Sequence, residues 1–196
     1  MCDRVAPVAP VAPVAPVAPV AAPVAAAATA DVVIVGIGNE FRGDDAAGLL
    51  VARLLRGTLP ARVTVLENAG DPAELIEAWT GARLAIVIDT VVSGAPPGTT
   101  GRRAVLGSGP RARGDRWTPP AVRHGSSHAL GIADALALGR TLGRLPRELV
   151  LHTVEGADFG LGAPVTPAVG LAVERLAKTV SKTVTELVRS EPTRPR

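Results

Sequence analysis

Four polar residues of this sequence stand where strands end or helices begin, the positions at which α/β sheets commonly bind ligands. Asp45 follows the apolar run of residues 32–35, Glu67 ends R-V-T-V-L-E, Asp89 ends L-A-I-V-I-D, and His128 opens an Ala/Leu-rich helical pattern. Asp45, Asp89 and His128 on one rim would offer oxygen and nitrogen ligands to a divalent transition ion and leave positions open. The same trio could perform acid–base catalysis without a metal. A structural role is the alternative for each, because such residues also cap helices and bond to backbone amides.

Residues 34–48, I-V-G-I-G-N-E-F-R-G-D-D-A-A-G, predict a glycine turn between a strand and a helix. Such turns often bind phosphate. The dinucleotide pattern G-x-G-x-x-G, however, needs glycine at position 41, where Phe41 stands, and the chain has no G-K-[ST] phosphate loop. Asp44 and Asp45 also place negative charge at the start of the predicted helix, where one of them could act as its N-cap. The turn therefore favours a cation over a phosphate.

The hydrophobic pattern predicts strands that alternate with helices. Strands are predicted at residues 32–35, 62–67, 84–89 and 148–154, with an edge strand near residues 103–106. Helices are predicted after Asp45, at residues 71–79, from about residue 128 to 142 behind Ser126 and Ser127 as caps, and from Thr166-Pro167 onward. The last helix carries one apolar stripe of Val169, Val173, Leu176, Val180, Val184 and Leu187. This alternation implies an α/β fold, a three-layer α/β/α sandwich with a mostly parallel twisted sheet of about five strands.

Composition divides the 196 residues into unequal parts. Residues 1–30 repeat A-P-V and predict a Pro/Ala/Val-rich disordered or polyproline-II-like arm, residues 31–188 the folded domain, and residues 189–196 a disordered C-terminal tail. Residues 93–125 are rich in Gly, Pro and Arg, typical of a mobile basic loop or of a docking surface for an acidic partner. The net charge of +3 is too weak to indicate nucleic acid, and no run of apolar residues suits a membrane span. The single cysteine, Cys2, lies in the arm, so we expect a soluble protein of the reducing cytoplasm.

Five sequence blocks resemble the hydrogenase maturation protease family. G-I-G-N-E-F-R-G-D-D-A-A-G resembles the family's opening motif, V-L-E-N-A-G-D-P-A-E-L its second-strand segment, and V-I-D-T-V-V-S-G-A-P-P-G-T its third strand and loop. S-S-H-A-L-G-I-A-D-A-L-A-L resembles its histidine-bearing helix start, and V-E-G-A-D-F-G-L-G-A-P-V-T-P-A-V the segment before its last helix. The blocks occur in order over residues 31–188. The resemblance implies a phosphorylase/hydrolase-like α/β/α sandwich.

The resemblance also implies a function. Proteases of this family are endopeptidases that remove the C-terminal extension of the immature large subunit of nickel–iron hydrogenases, and the nickel that gates cleavage belongs to that substrate. The family's metal-contacting positions fall on Asp45, Asp89 and His128, where many members have glutamate instead of Asp45. Glu67 replaces an acid that is commonly aspartate in the family. Either a carboxylate or the ion would activate water, and a monomer is expected because a large partner must approach the rim.

Two other functions remain open at this point. A non-enzymatic, metal-sensing accessory protein of hydrogenase assembly would keep the same trio without cleaving its partner. A peptidyl-tRNA hydrolase also begins G-x-G-N, but that family continues with proline and then a tyrosine and a His-Asn pair. Glu40, Phe41 and the two aspartates stand there instead.

Overall fold

The computed structural model describes residues 31–106 and 128–190, with side chains from residue 131 onward in the second range. The described residues form five strands, β1 (Val32–Ile37), β2 (Val63–Asn68), β3 (Leu84–Val91), β4 (Thr100–Leu106) and β5 (Glu148–Glu155). They also form four α-helices, α1 (Ala47–Leu55), α2 (Pro72–Trp79), α3 (His128–Thr141) and α4 (Pro167–Ser190). A single 3₁₀ turn, Gly43–Ala46, precedes α1 and is called the aspartate turn below.

These strands make one twisted sheet in the order β2-β1-β3-β5-β4. β1, β2, β3 and β5 are parallel, and β4 lies antiparallel to β5 at the edge. The predicted mostly parallel sheet of about five strands is therefore confirmed, as is the predicted edge strand near residues 103–106. Because the four parallel strands end on the same side, their last residues form one edge of the sheet. That edge, marked by Ile37, Asn68, Val91 and Glu155, is called the carboxyl rim.

Helices cover both faces of the sheet and give the predicted three layers. One core cluster joins the sheet to α1 and α4, and a second joins the opposite face to α2 and α3. β1 is buried along its whole length because it lies between β2 and β3 with helices on both sides. This position explains its continuous apolar run, since a strand covered on both faces has no polar side to alternate with.

Two helices form as their sequences predict. In α4, Val169, Val173, Leu176, Val180 and Val184 are buried, and Leu187 packs against the same cluster. In α2, an Asp71 oxygen accepts hydrogen bonds from the backbone N–H groups of Ala73 and Glu74 at 2.8 and 3.0 Å, and proline occupies the first turn. Asp71 therefore satisfies two of the amides that the start of a helix leaves without partners.

The predicted C-terminal limit of the folded domain falls within the described residues. Helix α4 continues through Arg189 and Ser190, so these two residues are helical and not part of a disordered tail that begins at residue 189. Residues 191–196, the arm at residues 1–30 and the helix caps proposed at Ser126 and Ser127 lie outside the described residues. Residues 107–125 of the Arg-rich segment at residues 93–125 lie outside them as well. Within the described part of the chain, none of the helices is long and apolar enough to cross a membrane.

Candidate active site at the carboxyl rim

Asp44, the first of the two adjacent aspartates, connects the aspartate turn to residues 156–166, the closing loop between β5 and α4. Its carboxylate accepts four hydrogen bonds: from the N–H groups of Ala157 (2.8 Å), Asp158 (3.1 Å) and Thr166 (2.7 Å), and from the Thr166 hydroxyl (3.0 Å). A carboxylate has about four acceptor positions, so these bonds use Asp44 fully within the protein. The interpretation of either aspartate as a helix cap was wrong. Neither the aspartate turn nor α1 has a side-chain cap hydrogen bond.

The chain segments that carry Asp45 and Asp89 are hydrogen-bonded to each other at the carboxyl rim. The Thr90 hydroxyl donates a hydrogen bond of 3.0 Å to the backbone carbonyl of Asp44, so the aspartate turn rests on the end of β3. Asp45 is the residue after Asp44, and Asp89 is the residue before Thr90. Both aspartates are buried, and an Asp89 oxygen accepts from the Thr90 N–H at 2.8 Å. Consecutive Cα atoms are only about 3.8 Å apart, so the Cα atoms of Asp45 and Asp89 belong to one small region of the rim.

Glycines allow α1 to approach the sheet closely enough to put the aspartate turn there. A Cβ atom on Gly48 would lie 2.2 Å from the Ile37 carbonyl oxygen and 2.5 Å from that of Ile88. A Cβ on Gly36 would lie 2.1 Å from the Gly48 oxygen, and one on Gly38 would lie 2.1 Å from the Asp45 oxygen. Glycine is required at these positions because backbone meets backbone. The glycines of this turn therefore serve to pack the helix against the strand. They do not serve to bring backbone amides to a phosphate, so aspartates can occupy the start of the helix.

His128 is the first residue of α3, and the start of α3 lies at the same rim. Gly131, one turn further on, packs so closely on the loop after β2 that a Cβ there would lie 2.3 Å from the Gly70 oxygen. The backbone of His128 is thus held at the edge that carries Asp45 and Asp89. Its side chain is outside the described part of the structure. Among the residues that are described, no group of three or more His, Cys, Asp or Glu side chains is arranged to hold a metal ion.

Comparison with known proteins places the chain in a family. No family model matches it. The hydrogenase expression/formation protein HupM of Azotobacter chroococcum is 31% identical over 163 residues, covering 77% of this chain and 74% of that protein. HupD of Thiocapsa roseopersicina is 29% identical over 159 residues, covering 76% of this chain and 68% of that protein. The solved hydrogenase maturating endopeptidase HybD from E. coli superposes with a TM-score of 0.66 and 26% identity, covering 79% of this chain and 92% of that one. The chain belongs to the hydrogenase maturation protease family.

Membership in the hydrogenase maturation proteases confirms the resemblance stated from the five sequence blocks. It also identifies the chain as a peptide-bond hydrolase, because its solved relatives are endopeptidases. The peptidyl-tRNA hydrolase alternative is thereby rejected. The fold agrees, since the relatives share the parallel sheet and its flanking helices.

Glu67, the fourth candidate in the sequence of this maturation protease, faces away from Asp89. Glu67 lies on the side of the sheet where Val63 and Val65 pack toward α1 and α4, whereas Asp89 follows Val87 on the α2 and α3 side. Its carboxylate binds guanidinium groups of α1 and the turn after it, 2.8 Å from Arg53 and 2.6 Å from Arg56. Burial raises the pKa of Glu67, but the two arginines outweigh burial and hold this pKa below its usual value. The contacts of Glu67 are those of a structural ion pair.

Glu155 is a buried rim residue of the maturation protease that sequence reasoning missed. Its carboxylate accepts from the N–H groups of Ser93 and Gly94 at 2.7 and 2.8 Å, and from the Ser93 hydroxyl at 2.8 Å. It therefore fixes the loop after β3 much as Asp44 fixes the closing loop. A glutamate at the end of an apolar strand was the available signal. The partners of Glu155 lie more than sixty residues earlier in the chain, so the local sequence did not point to them.

His152 on β5 is a second buried ionisable group that the sequence pattern did not single out. Its register neighbours are Ile88 on β3 and Arg102 on β4. Burial and, to a smaller extent, the positive charge of Arg102 lower the pKa of His152 to about 4. The imidazole is consequently neutral in the folded maturation protease at pH 7.

We expect His152 to make the fold sensitive to acid. Below the ordinary pKa of 6.5 the unfolded chain binds a proton at His152 that the folded protein excludes until about pH 4. Stability contributed by the neutral imidazole is therefore complete above pH 6.5 and is lost as the pH falls toward 4. Between pH 7 and pH 4.5 the parent should lose about 2–3 kcal/mol more unfolding free energy than His152→Leu. Urea unfolding at both pH values measures this, and equal losses in the two proteins would contradict it.

Proposed function

We propose that this protease removes the C-terminal extension of the immature large subunit of a nickel–iron hydrogenase. Nickel already loaded in that precursor is part of what the protease recognises, so the ion arrives with the substrate. The observation that supports the proposal is the Thr90–Asp44 hydrogen bond, which brings the backbones of Asp45 and Asp89 near each other on the rim to which α3 also brings the backbone of His128. Family membership supplies the reaction class.

Asp45, Asp89 and His128 are the residues that we assign to contact the nickel and to carry catalysis. The Asp44 carboxylate, by contrast, accepts hydrogen bonds from four protein donors, so Asp44 serves to position its neighbour Asp45. Two carboxylates and an imidazole suit a divalent transition ion, which prefers such mixed oxygen and nitrogen ligands. Carboxylates at the rim can also accept a proton from attacking water.

Three further assignments complete the proposal. We assign the activity to residues 31–188 and assign the arm at residues 1–30 as a dispensable linker. The protein works as a monomer, so that a folded precursor can reach the rim. It acts in the cytoplasm, because the single cysteine, Cys2, favours a reducing compartment.

The test is intact mass spectrometry of a nickel-loaded large-subunit precursor from the same cells after incubation with the purified protein. The parent should remove a C-terminal peptide. Asp45→Asn, Asp89→Asn and His128→Ala should each slow this cleavage by about a hundredfold or more, the size expected when an acid, base or ligand is lost. A precursor without nickel should stay intact.

Glu67→Gln is the matched control, since Glu67 is also a strand-end carboxylate but faces α1. It should cleave at nearly the parent rate. Cleavage that survives all three rim substitutions would refute the assigned site. An intact precursor that holds nickel and still binds the parent protein would instead support the non-enzymatic accessory function.

A further inference from the structure

Two exposed apolar residues lie on hydrogen-bonded backbone segments beside the candidate site. Leu161 is 86% exposed and Phe41 is 65% exposed, the highest values among large hydrophobic residues in the described part of the chain. The N–H of Gly162 donates a 2.7 Å hydrogen bond to the Phe41 carbonyl, which joins the β1–α1 connection to the closing loop. Phe41 and Leu161 are called the rim patch below.

The rim patch is presented by a fixed backbone. The N–H of Phe41 donates a hydrogen bond of 3.0 Å to the Asn39 side chain. Gly43 has a φ of +52°, and a Cβ atom there would lie only 2.6 Å from the Asp158 backbone oxygen. The four bonds to Asp44 fasten the closing loop from the other side. Apolar groups held this way lose little conformational entropy when a partner covers them.

Exposure of Phe41 is unusual in this chain because aromatic side chains are scarce. The sequence has two Phe, two Trp and no Tyr, and Trp79 is fully buried. A single exposed apolar residue needs no explanation, but adjacent ones at a binding edge mark interaction surfaces. Aromatic residues are also enriched among those that dominate binding energy.

Of the charged residues nearest in sequence to the rim patch, Glu40 is ion-paired, Asp158 accepts from a backbone amide, and Arg42 directly follows Phe41. Glu40 bonds to Arg53 at 3.1 Å, and the Asp158 side chain accepts from the Gly160 N–H at 2.8 Å. Glu40 therefore adds no unpaired charge beside the rim patch. The exposed side chains of Phe41 and Leu161 themselves suit an apolar segment of a partner.

We propose that the rim patch docks an apolar segment of the hydrogenase large-subunit precursor next to the bond that is cut. This inference rests on the proposed function. Phe41 precedes Asp45 by four residues, and Leu161 lies in the loop that Asp44 fastens. The rim patch thus lies on the two chain segments that border the aspartate turn. The patch would set affinity for the precursor and leave the chemistry unchanged.

The experiment compares binding and cleavage for Phe41→Ser/Leu161→Ser in the full-length protein. Binding of labelled nickel-loaded precursor is followed by fluorescence anisotropy in an Asp89→Asn background, so that the peptide stays attached. The double substitution should weaken binding about tenfold or more, as expected for loss of an aromatic anchor. Without Asp89→Asn, it should raise KM by a similar factor and keep kcat within about twofold.

Two variants control for folding and for general loss of apolar surface. Phe41→Leu keeps an apolar side chain and should bind within about threefold of the parent. Leu142→Ser removes a side chain that is 53% exposed just beyond α3, at the end of that helix opposite the rim, and should not change binding.

The possible outcomes distinguish a failure of the rim-patch inference from a failure of the proposed function. Unchanged binding by the double variant, or equal weakening by Leu142→Ser, would overturn the inference. A dimer of the parent protein in sedimentation would also overturn the inference if the double variant lost the dimer but still bound the precursor. The patch would then join two copies of this chain. Failure of the parent to cleave would refute the proposed function alone, since the binding comparison does not require cleavage.

Discussion

Asp44→Asn is expected to lower the free energy of unfolding by about 3 kcal/mol and to abolish processing at temperatures where the variant is still folded. The carboxylate accepts three donors at one oxygen and the Thr166 N–H at the other. An asparagine side chain has one acceptor oxygen, so its NH₂ group must face at least one backbone N–H that cannot be satisfied. The negative charge that strengthens the remaining bonds is also lost. Urea unfolding at pH 7 measures the stability, and precursor cleavage measures the activity.

Asp158→Asn is the matched control for Asp44→Asn. Asp158 lies in the same closing loop, is exposed, and accepts one hydrogen bond from the Gly160 N–H, which an amide oxygen can also accept. Its substitution should change stability by no more than about 0.5 kcal/mol and leave cleavage intact. If Asp44→Asn were as stable as Asp158→Asn, the four-bond connection would not hold the closing loop in solution.

Secondary structure was predictable here because local pattern and tertiary position agree. β1 and β3 have continuous apolar runs since they lie inside the sheet, and α4 shows its stripe because one side packs on α1 and the sheet. The start of α2 was predicted at residue 71 because the capping partners of Asp71, Ala73 and Glu74, follow within three residues. The order of strands across the sheet was not predicted, since nothing within one strand specifies its neighbour.

The roles of individual carboxylates were harder to predict, because the local sequence does not specify partners that are distant along the chain. Asp44 and Asp45 are adjacent and chemically identical in the sequence, but the partners of Asp44 lie 113 to 122 residues away. Only the fold distinguishes the aspartate that fastens a loop from the one assigned to the site. Glu67 likewise was a candidate by its position at a strand end, and its pairing with Arg53 and Arg56 emerged from the packing of α1.

Gly48→Ala should cost about 3 kcal/mol of unfolding free energy or more, although it adds one methyl group to a helix. The new Cβ would lie 2.2 Å from the Ile37 oxygen and 2.5 Å from the Ile88 oxygen, and neither backbone group can rotate away. Helix α1 must therefore shift from the sheet and take the aspartate turn with it. Because that turn carries Asp45, which we assign to the site, cleavage of the precursor should be lost along with the stability.

Gly170→Ala in α4 tests whether contact, and not helix propensity, is the cause. A Cβ at Gly170 meets no atom within 4 Å, so alanine there should stabilise the protein by about 0.5–1 kcal/mol through its higher helix propensity. The same substitution is thus expected to have opposite signs at the two glycines. Urea unfolding of both variants, with precursor cleavage measured in parallel, decides the matter. A Gly48→Ala protein that is stabilised like Gly170→Ala would mean that α1 tolerates a wider separation from the sheet, and that the close approach does not fix Asp45 at the rim.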